Sequence, residues 1–273
     1  MSRLWPDEIG VYLAPRRLCS VRVHPGLRPS LVREKEIAWS APASGGWEPA
    51  LQALIGLLKE ADWSGAHVRA VVADHWVRYV VVPYTPALDS AAERDAHARG
   101  LLAGMYGDAV SDWRVCQSQE PPGTSRIASA MPAGLLDGLK EACTGAAVRL
   151  ISVQPQLITS FNAWRHRLPG VGAWFVTIEE GSMAAVRIAP SGFDRVRSVR
   201  IGTDWARELR RLQTFGRLAS ASSADGRVYV DAPSTWRPAG IESGPELEWL
   251  QDEEETTRFS TLGRLEHLRR LAA

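Results

Sequence analysis

Two stretches of this chain, about 165 residues apart, set out the same order of elements, and that recurrence restricts the possible folds more than any single motif does. In the first stretch, DEIGVYLAPRRLCSVRVH reads as strands over residues 9–13 and 18–23, joined by a turn at 14–17. Alternation puts Cys19, Val21 and Val23 on one face of the hairpin and polar groups on the other. A third strand is predicted over 31–39. A helix follows over 47–62, with Pro49 in its first turn and an apolar stripe at Leu51, Leu54, Ile55 and Leu58. Residues 67–74 form a nearly continuous apolar run, the pattern of a strand covered on both faces. In the second stretch, strands are predicted over 174–178, 183–188 and 195–201. A helix capped by Thr203 or Asp204 runs to about 219, and a strand covers 227–231. The order β-β-β-α-β therefore occurs twice in an α/β chain.

Between the two stretches the pattern predicts a strand over 76–83 and a helix over 90–106, started by Asp89 or Ser90 and stopped at Gly107. A β-pair over 113–119 and 126–131 turns at Pro121-Pro122-Gly123; a helix (135–143), a strand (148–154) and a helix (157–168) follow. Residues 169–172, PGVG, make the clearest linker. The expected division is lobe I over 1–168, with an inserted α/β subdomain at about 76–168, and lobe II over 169–273. In the tail, 252–255 (DEEE) is a solvated run. Residues 260–273 read as an amphipathic helix with Leu262, Leu265, Leu268 and Leu271 on one side, either packed on the body or offered to a partner.

With 273 residues, 45% apolar and 23% charged, the composition is that of a globular protein with ample core. A net charge of +1 gives no sign of a nucleic-acid or anionic-membrane surface. Cys19, Cys116 and Cys143 lack metal-ligand spacing and read as reduced thiols. No apolar run is long enough to span a bilayer and MSRLWPDE is not a signal peptide, so a cytoplasmic protein is expected. A Walker A loop, a G-x-S-x-G elbow, H-E-x-x-H and C-x-x-C are all missing. His75 beside Asp74 makes a poor acid–base pair, since neighbouring strand residues point to opposite faces.

Four stretches carry a family resemblance: Gly10–Val21, residues 74–113, residues 149–162 (RLISVQPQLITSFN) and residues 175–202. The chain resembles the actin-like ATPase superfamily, and within it the PilM-type proteins of type IV pilus machines and the cytoplasmic domain of the type II secretion protein GspL. The resemblance implies a two-lobed actin-like fold, an RNase H-like β-β-β-α-β unit duplicated.

In active members of that superfamily, each lobe's first hairpin carries an Asp-x-Gly turn. The Asp holds a metal-bound water, and the Gly lets backbone N–H groups approach phosphate. Here Tyr12 and Ala14 stand in the first turn, and Thr177 and Glu179 in the second. Pro233 falls where a Gly-Gly turn over adenine is expected, and proline has no N–H to donate. Arg16 and Arg17 could supply charge to an anion but read as solvated turn residues. Glu179 and Glu180 could hold Mg²⁺ but read as solvent-facing carboxylates. The expectation is a pseudo-ATPase with no catalytic residue, no bound nucleotide cofactor and no metal. The implied role is a scaffold, peripheral to the inner membrane through its partner. It would dock the N-terminal cytoplasmic segment of a single-span inner-membrane assembly protein, and an assembly motor ATPase is a further candidate partner. The rival reading is a divergent actin-like ATPase or kinase.

Overall fold

A computed structural model describes residues 6–24, 30–40, 45–88, 90–168, 172–202, 205–218, 226–233 and 246–250. The predicted helix at 260–273, the acidic run 252–255 and the cap at 203–204 lie outside these residues. The first lobe is a five-stranded sheet in the order β3-β2-β1-β4-β8. Its strands are β1 (Glu8–Leu13), β2 (Arg17–His24), β3 (Ser30–Ala38), β4 (His67–Val72) and β8 (Arg149–Pro155). The first three are antiparallel, and β4 and β8 are added in parallel. The second lobe has the order β11-β10-β9-β12-β13 with the same directions. It comprises β9 (Trp174–Glu179), β10 (Ser182–Ala189), β11 (Gly192–Arg200), β12 (Val228–Asp231) and β13 (Leu247–Leu250).

The duplication holds in register as well as order. Tyr12 opposite Cys19 and Leu13 opposite Leu18 become Thr177 opposite Ala184 and Ile178 opposite Met183, each shifted by 165 positions. The register shift of β2 against β3 falls between Arg22 and Val23, and that of β10 against β11 between Arg187 and Ile188, again 165 on. A bulge bends and twists the strand that carries it. The extra residue is on the third strand each time, Val32 in β3 and Asp194 in β11, so both lobes bend that strand opposite the same place on its neighbour. The arginine opposite each bulge meets an aspartate: Arg22 meets Asp7 at 2.7 Å, and Arg187 meets Asp194 at 3.3 Å.

Helix α1 (Glu48–Leu58) covers the first sheet, with Pro49 in its first turn and Leu51, Leu54, Leu57 and Leu58 buried. Ile55 of the predicted stripe is only half-buried, and Leu57 takes the core position instead. Cys19, Val21 and Val23 pack with Tyr12, Ala14, Val71 and Ala73. The opposite face of the hairpin is not polar: Leu18 and Ser20 are fully buried, and Ser20 Oγ donates to the Lys35 carbonyl at 3.0 Å. In the second lobe α5 (Trp205–Leu218) lays Trp205, Leu209 and Leu212 on Trp174, Val176, Ile178, Val228 and Val230.

A third, antiparallel sheet β5-β7-β6 is formed by β5 (Arg78–Val82), β6 (Trp113–Gln117) and β7 (Arg126–Pro132). It is covered by α2 (Ala91–Tyr106), which a reciprocal Ser90/Glu93 capping box starts and Gly107 (φ +64°) ends. By connectivity this subdomain is an insertion into the first lobe, but by packing it belongs with the second. The chain divides into residues up to 76 with 133–163, and residues 77–132 with 164–251. The expected boundary at 168/169 is corrected accordingly, and the insertion is 77–132 rather than 76–168. The remaining elements, α3 (Ala133–Gly145), β8 and α4 (Gln156–Trp164), complete the first lobe. The attachment is local. Ser125 N donates to the Ser191 carbonyl at 2.7 Å, and Ser125 Oγ accepts from Phe193 N at 2.9 Å. Gly192 between them has φ +102°, and a Cβ there would stand 2.7 Å from the Ser125 carbonyl.

Candidate functional site

The candidate sites are the two equivalent hairpins, one in each unit, at which the family resemblance of the sequence leads one to expect phosphate turns. In the first, Tyr12 is 1% exposed and packs among Cys19, Val21, Val71 and Ala73. Ala14 donates its N–H to the Arg17 carbonyl at 2.9 Å, and Pro15, next in the turn, has no N–H. The turn carbonyls are also engaged: Trp39 donates from Nε1 to Pro15 O and from its backbone N to Arg16 O, both at 2.9 Å. Neither Ala14 nor Pro15 offers the backbone donor that a phosphate cradle needs. Arg16 is exposed in this turn, and Arg17 lies 3.8 Å from Glu36.

In the second hairpin, alternation puts Val176 and Ile178 against α5 and turns Thr177 and Glu179 to the other face. Thr177 is fully buried, and its Oγ1 donates to the Ala184 carbonyl at 3.4 Å. Glu179 is 2% exposed and accepts from Ser182 Oγ at 3.2 Å. The expectation of a solvent-facing Glu179 is thus corrected: only Glu180, in the Glu180-Gly181 turn, is partly exposed. Beyond β12, Asp231 lies beside Thr177 in the parallel register, and Ala232 and Pro233 are buried.

A second buried polar group lies at the carboxyl ends of β4 and β8. Asp74 is not the end of a strand but opens a 3-10 turn, Asp74–Trp76. Its Oδ1 accepts from Leu157 N at 3.1 Å, capping α4 from 83 residues away. Thr159 Oγ1 donates to the Pro155 carbonyl at 3.0 Å, and Gln156 Nε2 to Ser160 Oγ at 3.2 Å. His75 stands edge-on to Trp76 with ring centroids 6.1 Å apart. Sequence reasoning missed this cap. The signal was a helix beginning at Gln156, directly after Gln154-Pro155, without Ser, Thr, Asp or Asn at its start.

Among the described residues no group of three His, Cys, Asp or Glu is placed to hold a metal ion, and no helix is long and apolar enough to cross a membrane. Cys143 is buried in α3, and burial pushes its thiol up to about 11.

Two β-β-β-α-β lobes in matched register define the actin-like fold. No protein-family model and no curated protein matches the chain. Solved structures do. The chain is similar to the PilM-PilN type IV pilus biogenesis complex at 18% identity and TM-score 0.61, over 86% of this chain and 84% of that one. It is similar to the cytoplasmic domain of EpsL, an inner membrane component of the type II secretion system of Vibrio cholerae. That match has 11% identity and TM-score 0.57, over 97% and 95%. A Bacteroides thetaiotaomicron protein with an actin-like ATPase fold and unknown function matches at 12% identity and TM-score 0.56, over 83% and 82%. At these identities the likeness establishes the fold.

Proposed function

We propose that this chain is a non-catalytic actin-like scaffold. In this reading it docks the cytoplasmic segment of a single-span inner-membrane protein in a type IV pilus or type II secretion-like assembly, and is held at the membrane through that partner. An assembly motor ATPase is the second partner to test. The observation that carries the reading is the first hairpin: a buried Tyr12 among apolar side chains, a committed Ala14 N–H and Pro15. Phosphoryl transfer depends on backbone donors, metal and positioning, and this turn retains none of the residues that supply them in active members. The fold, shared with structures from a pilus complex and a secretion system, supplies the context.

The rival, a divergent ATPase or kinase, draws on Thr177, Glu179, Ser182 and Asp231, buried polar side chains at or beside the carboxyl ends of β9 and β12. Thermal melting with and without millimolar Mg-ATP separates the two. A ligand at 100 times its Kd adds about 2.7 kcal/mol, a shift of roughly 5–10 °C for a protein of this size. The scaffold reading expects no shift beyond that of Mg²⁺ alone, and a clear one favours the enzyme. Calorimetric titration with peptides for the cytoplasmic segments of single-span membrane proteins encoded beside this chain tests the docking itself. Failure of all of them to bind overturns it.

A further inference from the structure

Within the second unit, beside β11, lies a cleft of about 450 Å³, a volume that suits a small organic ligand. Tyr79, Val81, Met105, Trp174 and Leu212 give it apolar walls, and Arg195 and Arg197 of β11 add charge. Strands β5 and β11, each the last strand of its own sheet, border it. Met105 is 61% exposed there, the most exposed large apolar side chain among the described residues.

The bulge in β11 decides which side chains reach the cleft. At the hairpin end Ile188 faces Phe193 and Ala189 faces Gly192, and a regular strand continued from there would set Arg195 opposite Val186. The extra residue, Asp194, instead sets Arg195 opposite Arg187 and Arg197 opposite Ala185. Arg187 in turn faces Trp174, and Ala185 belongs to the core under α5. Both arginines are thereby turned to the α5 side of the sheet, in line with Trp174. The first lobe repeats the bulge with a different outcome. There Arg33, opposite Arg22, is bound by Asp62. Arg195 has no partner among the described residues. The carboxylates beside it are already taken: Asp194 by Arg187 at 3.3 Å, and Glu208 by Arg197 and Arg211. The buried Trp174 adds an indole Nε1 without an acceptor among the described residues.

We propose that this cleft binds a small organic carboxylate with an apolar body, a medium-length acyl or aryl acid. The planar guanidinium of Arg195 matches the two oxygens of one carboxylate. Tyr79, Val81, Met105 and Trp174 receive the body. A multiply charged phosphate fits worse. The lining has no glycine turn and no helix N-terminus, the features that receive phosphate. The two helices instead reach the cleft through Met105, near the carboxyl end of α2, and Leu212, in the second half of α5. The assignment is independent of the scaffold reading, because its residues belong to neither hairpin turn. An occupant would also tie β5 to β11, adding to the Ser125 bonds that attach the inserted sheet.

The test uses the whole chain and two fluorescent probes with the same aryl body, anilinonaphthalene sulfonate and its uncharged parent, phenylnaphthylamine. The sulfonate is expected to bind at least tenfold more tightly than the parent, the factor that a charge-assisted hydrogen bond supplies. Decanoate below its micellar concentration should displace the sulfonate, and decanol should need at least ten times as much. Arg195→Glu should weaken the sulfonate and decanoate at least tenfold and leave the uncharged probe unchanged. Met105→Glu should weaken all of them. Lys140→Glu, on α3 of the other unit, should change nothing. In proton–nitrogen correlation spectra of the parent, the indole resonance that Trp174→Phe removes should shift as decanoate is added. Equal affinity for the two probes, no displacement by decanoate, binding unaltered in a folded Arg195→Glu variant, or a Trp174 resonance that stays in place overturns the assignment.

Discussion

Tyr12→Asp puts back the acid of an actin-like phosphate turn, and the structure predicts that the lobe will not tolerate it. Tyr12 is 1% exposed, on the face of β1 that packs against Cys19, Val21, Val71 and Ala73. Removing a buried aromatic costs about 3–5 kcal/mol in lost transfer energy and cavity. Leaving a carboxyl there without partners adds about 1–3 kcal/mol. The sum, roughly 4–8 kcal/mol, rivals the whole stability of a typical domain at about 5–15 kcal/mol. Burial would raise the folded-state pKa of the introduced carboxyl above its unfolded value of about 3.9. The deficit relative to the parent should therefore be smallest below about pH 4 and grow as pH rises towards the folded pKa. Urea denaturation followed by far-UV circular dichroism at pH 4 and pH 7 measures both effects. Tyr12→Leu, which stays apolar, should cost only about 1–3 kcal/mol. A Tyr12→Asp protein within 1 kcal/mol of the parent at pH 7, or one whose melting rises with Mg-ATP, would refute the reasoning.

Three further outcomes are expected. Ala147 sits at φ +54° in a helix-ending motif where Val148 N donates to Cys143 O at 3.0 Å and Ala147 N to Thr144 O at 3.1 Å. The left-handed strain of about 1–2 kcal/mol exceeds the roughly 0.4–1 kcal/mol that glycine loses through unfolded-state entropy. Ala147→Gly should therefore raise the melting temperature by a few degrees, and a drop would refute this. Burial pushes the Asp7 carboxyl up, but Arg22 and His24, at 2.8 and 2.5 Å, outweigh it and hold it below its ordinary range. Its contribution is then present above the unfolded pKa of about 3.9 and lost as pH falls through the lower folded value. Asp7→Asn should cost about 1.5–3 kcal/mol at pH 7 by denaturant melting, with the gap closing below about pH 4. Iodoacetamide at pH 8 should modify the exposed Cys116 and spare the buried Cys143 until urea unfolds the chain, as followed by mass spectrometry.

The parts of this fold legible in the sequence are those with local causes. Alternation and short turns mark both hairpins, and Ser90, Glu93 and Gly107 mark the ends of α2. Tyr12, Ala14, Thr177 and Glu179 could be aligned because the two hairpins keep one offset. What escaped depends on partners distant in the chain. Strand β13 is four residues, LEWL, whose pairing with β12 is decided by the sheet. The cap of α4 comes from Asp74, 83 residues away. Glu179 looked solvent-facing because its residue type argues for water, whereas Ser182 and the inward face of β9 decide its burial. Leu57 and Ile55 exchanged their expected places on α1 because the sheet and α3 select the buried side of a helix that has apolar residues on more than one side.

The path of the chain through its two compact units bears on how it can be taken apart. Among the described residues, successive segments end near residues 76, 132 and 163, so the chain passes from one unit to the other three times there. Neither unit is a continuous stretch of polypeptide. A fragment cut at the 169–172 linker would keep β5, β6, β7 and α2 but lose the Ser191 and Phe193 backbone that anchors Ser125. It would carry an orphaned subdomain, prone to aggregate through surface that is normally covered. Dissection should follow the packing. Excising 77–132 from the first lobe and bridging Trp76 to Ala133 is the cut that respects it. Synthesis is constrained in the same way: the inserted sheet emerges from the ribosome before β10 and β11 exist, and must wait for them to find its seat.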